Sequence, residues 1–141
     1  KNRWFRAPFR RHTSGSDFSV KGVDKLPRVD VIYITADTSP DLIDAAVANG
    51  AKGLVTAGVG NGNMTGPALI AVKKAVESGV VVVRSTRVTS GAVGRNVEVN
   101  DDEVGTVASA ELNPARARVL LKLALLKTSD TGKIQQYFYD Y

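Results

Sequence analysis

The sequence predicts an α/β domain, a small doubly wound (Rossmann-like), mostly parallel sheet flanked by helices. Three observations carry that prediction: β-branched runs alternate with segments of helical periodicity, glycine and proline punctuate the connections, and one run holds four consecutive valines. An uninterrupted valine run is how a strand buried on both faces reads, and such strands belong to parallel sheets covered by helices. With 141 residues, 43% of them hydrophobic, the chain is long enough for one domain with its own core.

The elements follow in order. "RVDVIYIT" (28–35), bounded by Pro27 and the "ADTSP" turn, reads as a buried strand. Ser39 caps the next helix, with Pro40 at its first position, Asp41 in its first turn, an apolar face of Leu42, Ile43, Ala46 and Val47, and Gly50 as its end. "KGLVTA" is a short strand leading into the glycine loop that starts at Gly58. "TGPALIAVKKAVESG" is a helix capped by Thr65 and stopped by Gly79. "VVVVRSTRV" (80–88) is the buried strand, and "TSGAVGRNVEVNDDEVG" (89–105) a long polar loop. After a short extended piece, Asn113 caps and Pro114 opens a helix with Val119, Leu120, Leu123 and Leu126 on its apolar side and Arg116, Arg118 and Lys122 on its polar one. A last helix from about Asp130 docks Ile134, Tyr137, Phe138 and Tyr141 on the domain. The two irregular loops, 58–66 and 89–105, both follow strands and therefore open on the carboxyl edge of the sheet, where ligands of parallel sheets bind.

The formal charge of +5 is unevenly spread. Residues 1–28 hold eight cations against two anions, a net +6, while the rest holds eleven against twelve, a net −1. The leader "KNRWFRAPFRRH" interleaves Trp4, Phe5 and Phe9 with cations, a mixture that can stack on bases; the body continues no basic stripe, so its aromatics are expected to pack on a neighbouring domain and nucleic acid is not expected as a partner. No apolar run approaches the roughly 18 to 20 residues of a membrane span, and residues 1–12 lack the apolar middle of a signal peptide. A chain that opens mid-pattern on "KNRWF" reads as a piece of a longer protein. There is no cysteine, which removes disulfides and thiol nucleophiles, and the single His12 builds no metal site alone.

The chemistry concentrates in the two loops. The first reads G-V-G-N-G-N, neither the G-x-G-x-x-G of a dinucleotide fold nor a P-loop with its Lys-Ser/Thr ending, and the next strand carries Arg84 where an NAD site favours an acid. A nucleotide-binding module is therefore the weaker alternative. Glycines alone serve a tight strand-to-helix turn, but the asparagines at 61 and 63 offer donors and acceptors that suit an amide or amino-acid ligand. In the second loop Asp101, Asp102 and Glu103 read as a solvated charge run. Glu98 differs, because Val97 and Val99 would pin the backbone and aim its carboxylate away from them. Ser85, Thr86, Thr89 and Ser90 offer hydroxyls with no neighbouring base, so no self-sufficient catalytic set is expected.

The blocks "KLPRVDVIYI", "GLVTAGVGNGN", "VVRSTRV", "VEVNDDE", "LNPARARVLLKLAL" and "IQQYFYDY" together resemble, in order and spacing, the carboxyl-terminal domain of bacterial type II L-asparaginases and the related glutaminase-asparaginases. On that resemblance, residues 1–25 form a leader or interdomain linker and 26–141 the carboxyl-terminal α/β domain. It implies an amidohydrolase, without cofactor or metal, that converts L-asparagine to L-aspartate and ammonia through an acyl-enzyme on a threonine. The nucleophilic threonine and its activating groups lie, in that family, in an amino-terminal domain, so the 141 residues alone are expected to be inactive. The family's contribution from this domain, two residues lent across a subunit interface, maps onto Asn63 and Glu98: the glutamate for the substrate's α-ammonium, the asparagine for orienting it. Asn63 is similar to type II asparaginases, where the dual enzymes tend to have serine, which implies L-asparagine as the favoured substrate and L-glutamine as a minor one. "MTG" (64–66) matches neither subgroup, and "GRNVEVNDD" is similar in part to the dual group. The resemblance further implies a homotetramer built from intimate dimers, and a periplasmic location.

Overall fold

Val81, Val82 and Val83 pack against apolar neighbours on both faces of a sheet, and the strand that carries them, β3, accordingly occupies an interior position. The computed structural model describes residues 11–141 and contains strands β1 (Val29–Tyr33), β2 (Gly53–Gly58), β3 (Val81–Thr86) and β4 (Val107–Ala108), all parallel, in the order β1-β2-β3-β4. Helices α1 (Asp41–Ala48) and α2 (Gly66–Glu77) cross between the first three strands; a four-residue helix, α3 (Asp101–Val104), precedes β4, and α4 (Pro114–Ala124) and α5 (Thr131–Asp140) follow it.

Side chains alternate across the strands and divide the interior into two cores. Leu54 and Val82 meet Ile43 of α1 and Ala71 and Val72 of α2 on one face. Val55, Val81 and Val83 meet Leu121 of α4 and Ile134 and Phe138 of α5 on the other. Helix ends are set by side chains the sequence placed there: Thr65 Oγ1 accepts from the Ala68 amide (3.3 Å), Asn113 Oδ1 from Arg116 (3.0 Å) and Asp130 Oδ1 from Lys133 (2.8 Å). The start of α1 departs from expectation: Pro40, not Ser39, is its N-cap, no side chain caps it, and Ser39 Oγ only accepts from the Asp41 amide at 3.3 Å.

Four further expectations are corrected. The first strand is half-open, not buried: it lies at the sheet's edge, where Val31 and Tyr33 on the α4 face stay exposed. Leu42 is exposed, since Ile43 and Ala46 already fill the inner side of α1. The apolar side of α4 is rotated: Ala117, Leu120, Leu121 and Ala124 face the sheet, and Val119 and Leu126 do not, because small Ala side chains let the helix approach β2 and β3 closely. The polar loop is not wholly irregular, since Asn100 Oδ1 accepts from the Glu103 amide (3.2 Å) and starts α3.

At the other edge Gln135 of α5 does a strand's work. Its Oε1 accepts from the Ala108 amide (2.8 Å) and its Nε2 donates to the Ala108 carbonyl (3.1 Å). Trp4, Phe5 and Phe9 lie outside the described residues. Phe18, downstream of them, packs on Tyr137 and Tyr141 of the carboxyl terminus at ring separations of 4.8 and 5.2 Å. No helix among the described residues is long and apolar enough to cross a membrane.

Candidate functional site

The loops after β2 and β3 meet because their strands are neighbours and both end at the carboxyl edge. The first folds on itself. The Val59 amide donates to the Asn63 carbonyl (3.0 Å) and the Asn63 amide to the Val59 carbonyl (2.8 Å), which makes a narrow hairpin with Asn61 at its turn. Two glycines are required for this. A Cβ at Gly58 would lie 2.5 Å from the Asn63 carbonyl oxygen, and Gly62 adopts φ +76° with Arg84 and Val93 packed against it. With both amides paired inside the hairpin, the loop does not present them to a phosphate as a nucleotide cradle would.

The second loop is held by a buried ion pair. Arg84 shares the face of β3 occupied by Val82 and is fully buried. Its Nε donates to Asp101 Oδ1 (2.6 Å) and its Nη2 to Asp101 Oδ2 (2.7 Å), a bidentate fork of the strong, planar kind. Asp101 also accepts from the Thr106 hydroxyl (2.5 Å) and the Asn96 amide (2.9 Å). Burial alone would push this carboxyl up. The bonds from Arg84, Thr106 and Asn96, with the Arg84 charge, outweigh burial and hold it below the usual carboxylate range. The expectation that Asp101 belongs to a solvated charge run is therefore wrong for this residue: its side chain turns inward to neutralise Arg84. Asp102 and Glu103 do face solvent, and Asp102 is held low by bonds from Asn96 and Arg95.

Within this frame the two predicted site residues, 35 positions apart, come together: Asn63 Nδ2 donates to Glu98 Oε2. Asn63 is half-buried and Glu98 exposed. Among the described residues no second group hydrogen-bonds the Glu98 carboxylate, which leaves it acceptor capacity for a cation. Only one of the two valines pins the backbone there. Val99 packs into the core beside α2, whereas Val97 is 65% exposed and rests against the backbone of Gly94.

The two loop asparagines, alike by residue type, separate in role. Asn61 Oδ1 accepts from the Gly94 amide (2.7 Å), so that oxygen braces the second loop, while Asn63 reaches Glu98. Ser85 Oγ donates to the Leu112 carbonyl (2.9 Å) and Thr86 Oγ1 to that of Gly58 (3.4 Å), neither beside a base. No group of three or more His, Asp or Glu that could hold a metal ion exists among the described residues.

Neither Asn63 nor Glu98 lines the groove of about 560 Å³ on the α4 face between Val31, Tyr33, Ala57 and Arg87, where the Arg87 guanidinium stacks 5.6 Å from the Tyr33 ring. Arg84 and Asp101 escaped the sequence reading. A signal for them existed: a charged residue following four buried valines needs a buried partner of opposite sign.

Comparison with known proteins accords with these features. Residues 28–138 match the glutaminase/asparaginase C-terminal domain family. The chain is 48% identical over 132 residues to L-asparaginase 2 of Bacillus subtilis, covering 94% of this chain and 35% of that protein. It is 46% identical over 136 residues to the probable periplasmic L-asparaginase of Haemophilus influenzae (96% and 39%), and 40% identical over 141 residues to the glutaminase-asparaginase of Acinetobacter glutaminasificans (98% and 43%). The chain thus spans about two fifths of the length of these relatives. The match takes in most of the chain, and the chain belongs to the glutaminase/asparaginase family, as a C-terminal domain of the kind found in type II asparaginases.

Proposed function

We propose that this chain is the carboxyl-terminal part of an L-asparagine amidohydrolase, and that it lends Asn63 and Glu98 to the active site of a neighbouring subunit. The observation that carries this is the meeting of those two side chains at the carboxyl edge of the sheet, with carboxylate capacity left over. A carboxylate there recognises the α-ammonium of an amino acid by a charge-assisted hydrogen bond, and the adjacent carboxamide orients the same substrate. The acyl transfer itself needs a nucleophile with a base, which the loop hydroxyls lack, so residues 26–141 supply recognition and an amino-terminal domain, joined through residues 1–25, supplies the threonine. A site shared between subunits requires an oligomer, a tetramer of intimate dimers by family likeness. A periplasmic location rests on the name of the Haemophilus relative.

L-Asparagine is the favoured substrate in this reading and L-glutamine a minor one. Asn63 supports this by family likeness, and three bacterial relatives named as L-asparaginases are 45 to 48% identical to the chain against 35 to 40% for three named as glutaminase-asparaginases, although a yeast relative named L-asparaginase 2-3 is 33% identical. The test is Glu98→Ala in the full-length enzyme. Loss of one charged hydrogen bond, about 1.5 to 3 kcal/mol, lowers kcat/KM for L-asparagine by about 10- to 150-fold with the fold intact. An unchanged kcat/KM would sink the reading. The 141 residues alone should release no ammonia from L-asparagine above a buffer control.

A further inference from the structure

Glu98 is exposed and its neighbour Val97 more so, yet a contact that orients a substrate has to be held in place before the substrate arrives. The hydrogen bonds around Asn61 show what holds it. Gly60 and Gly62, with φ of +51° and +76°, flank Asn61 and let its side chain and its carbonyl engage the second loop and Arg84. Asn61 Oδ1 accepts from the Gly94 amide (2.7 Å). The Asn61 carbonyl accepts from Arg84 Nη1 (3.0 Å), and the Gly94 carbonyl from Arg84 Nη2 (3.2 Å). The three contacts close a triangle in which two main-chain carbonyls, one from each loop, sit on the two ends of one rigid guanidinium. Beyond it, Asp101 grips Arg84 with both oxygens and also takes the Asn96 amide, so the arc from 96 to 101 is tied at its two ends with Glu98 between them.

We propose that Asn61, acting with the Arg84–Asp101 pair, is a positioning residue that fixes Asn63 and Glu98 relative to each other. Asn61 touches neither residue's side-chain head; it acts by setting the separation of the loops that carry them. The proposal rests on the reading that Asn63 and Glu98 contact substrate, and the test separates the two.

The test uses the full-length enzyme and a double-mutant cycle between Asn61→Ala and Glu98→Ala. Asn61→Ala should lower kcat/KM for L-asparagine by about 10- to 100-fold, as misplacement of a substrate contact does, with a melting temperature within a few degrees of the parent. In the Glu98→Ala background the same change should cost markedly less, because one of the two groups it positions is gone; independent effects would multiply instead. Asn61→Asp, which retains an oxygen for the Gly94 amide, should recover most of the loss. Asn61→Gln, which moves the same carboxamide outward by one methylene, should lose activity as alanine does and takes its place in the cycle if the alanine variant does not fold. Multiplicative losses, absence of rescue by aspartate, or unaltered kcat/KM in Asn61→Ala overturns the positioning role. An unaltered kcat/KM in Glu98→Ala alone overturns the substrate-contact reading and the positioning role with it.

Discussion

The two loops at the carboxyl edge keep their shapes by different means. The loop after β2 is short and held by its own backbone, with Val59 and Asn63 exchanging main-chain hydrogen bonds across a turn that Gly58 and Gly62 make possible. The loop after β3 relies on polar side chains: Asp101 closes it on Arg84 and Asn96, while Arg95 donates to Asp102, the Thr106 carbonyl and Gln135. A backbone-held loop tolerates side-chain change and fails when a glycine gains a Cβ. A side-chain-held loop does the reverse. Asn63 stands on the first kind and Glu98 on the second, and the Arg84 guanidinium, which takes a carbonyl from each loop, joins the two.

That contrast predicts an order of damage. Asp101→Ala should be the worst, because it strands a fully buried guanidinium; removal of one partner from a buried pair costs about 3 to 5 kcal/mol, read as a lowered urea midpoint. A near-parental midpoint would show the second loop to be held some other way. Gly58→Ala comes next. Its Cβ would lie 2.5 Å from the Asn63 carbonyl oxygen and 2.7 Å from the Gly62 carbonyl carbon, both backbone, so the hairpin must shift at a cost of about 1 to 3 kcal/mol, with loss of kcat/KM in the full-length enzyme. In stability Asn61→Ala should be milder, with a melting temperature within a few degrees of the parent.

Acid should find the second loop first. Because the Asp101 carboxyl is held below its ordinary range, its contribution to stability is complete above the unfolded carboxyl value, near 4, and is lost as pH falls through the lower folded one. Unfolding free energy measured against pH should therefore decline toward acid more steeply for the parent than for Asp101→Asn; parallel profiles would remove Asp101 from the explanation. Asp102→Ala should be the mildest, leaving the urea midpoint where it was, since its partners Asn96 and Arg95 are in contact with water.

Much of the fold could be read in advance, for local reasons. Val80 to Val83 announced an interior strand, Thr65 and Asn113 their helix starts, and Gly79 a helix end, because each signal depends on a few adjacent residues. What could not be read depended on which side a residue turned. Asp101, Asp102 and Glu103 are equivalent in sequence, and only the placement of Arg84 draws the first inward. Val119 and Leu126 failed as core residues because small Ala side chains, not large ones, decide which face of α4 approaches the sheet. Of the candidate site, residue types offered both loop asparagines and Glu98, the family resemblance chose Asn63 of the two, and geometry added that Asn63 and Glu98 touch; that Asn61 reaches the Gly94 amide and Asn63 does not required the hairpin, since the two differ in no property but position.

Gln135 bears on a different hazard. A two-residue strand at the end of a sheet leaves main-chain groups unpaired, a template on which a foreign strand can nucleate aggregation. The carboxamide of Gln135 occupies the amide and carbonyl of Ala108, and it is delivered by a helix anchored through the fully buried Ile134 and Phe138. A stray segment could add to that side of the sheet only by first dislodging α5 from its core. The seal holds for as long as the domain's carboxyl-terminal helix stays docked.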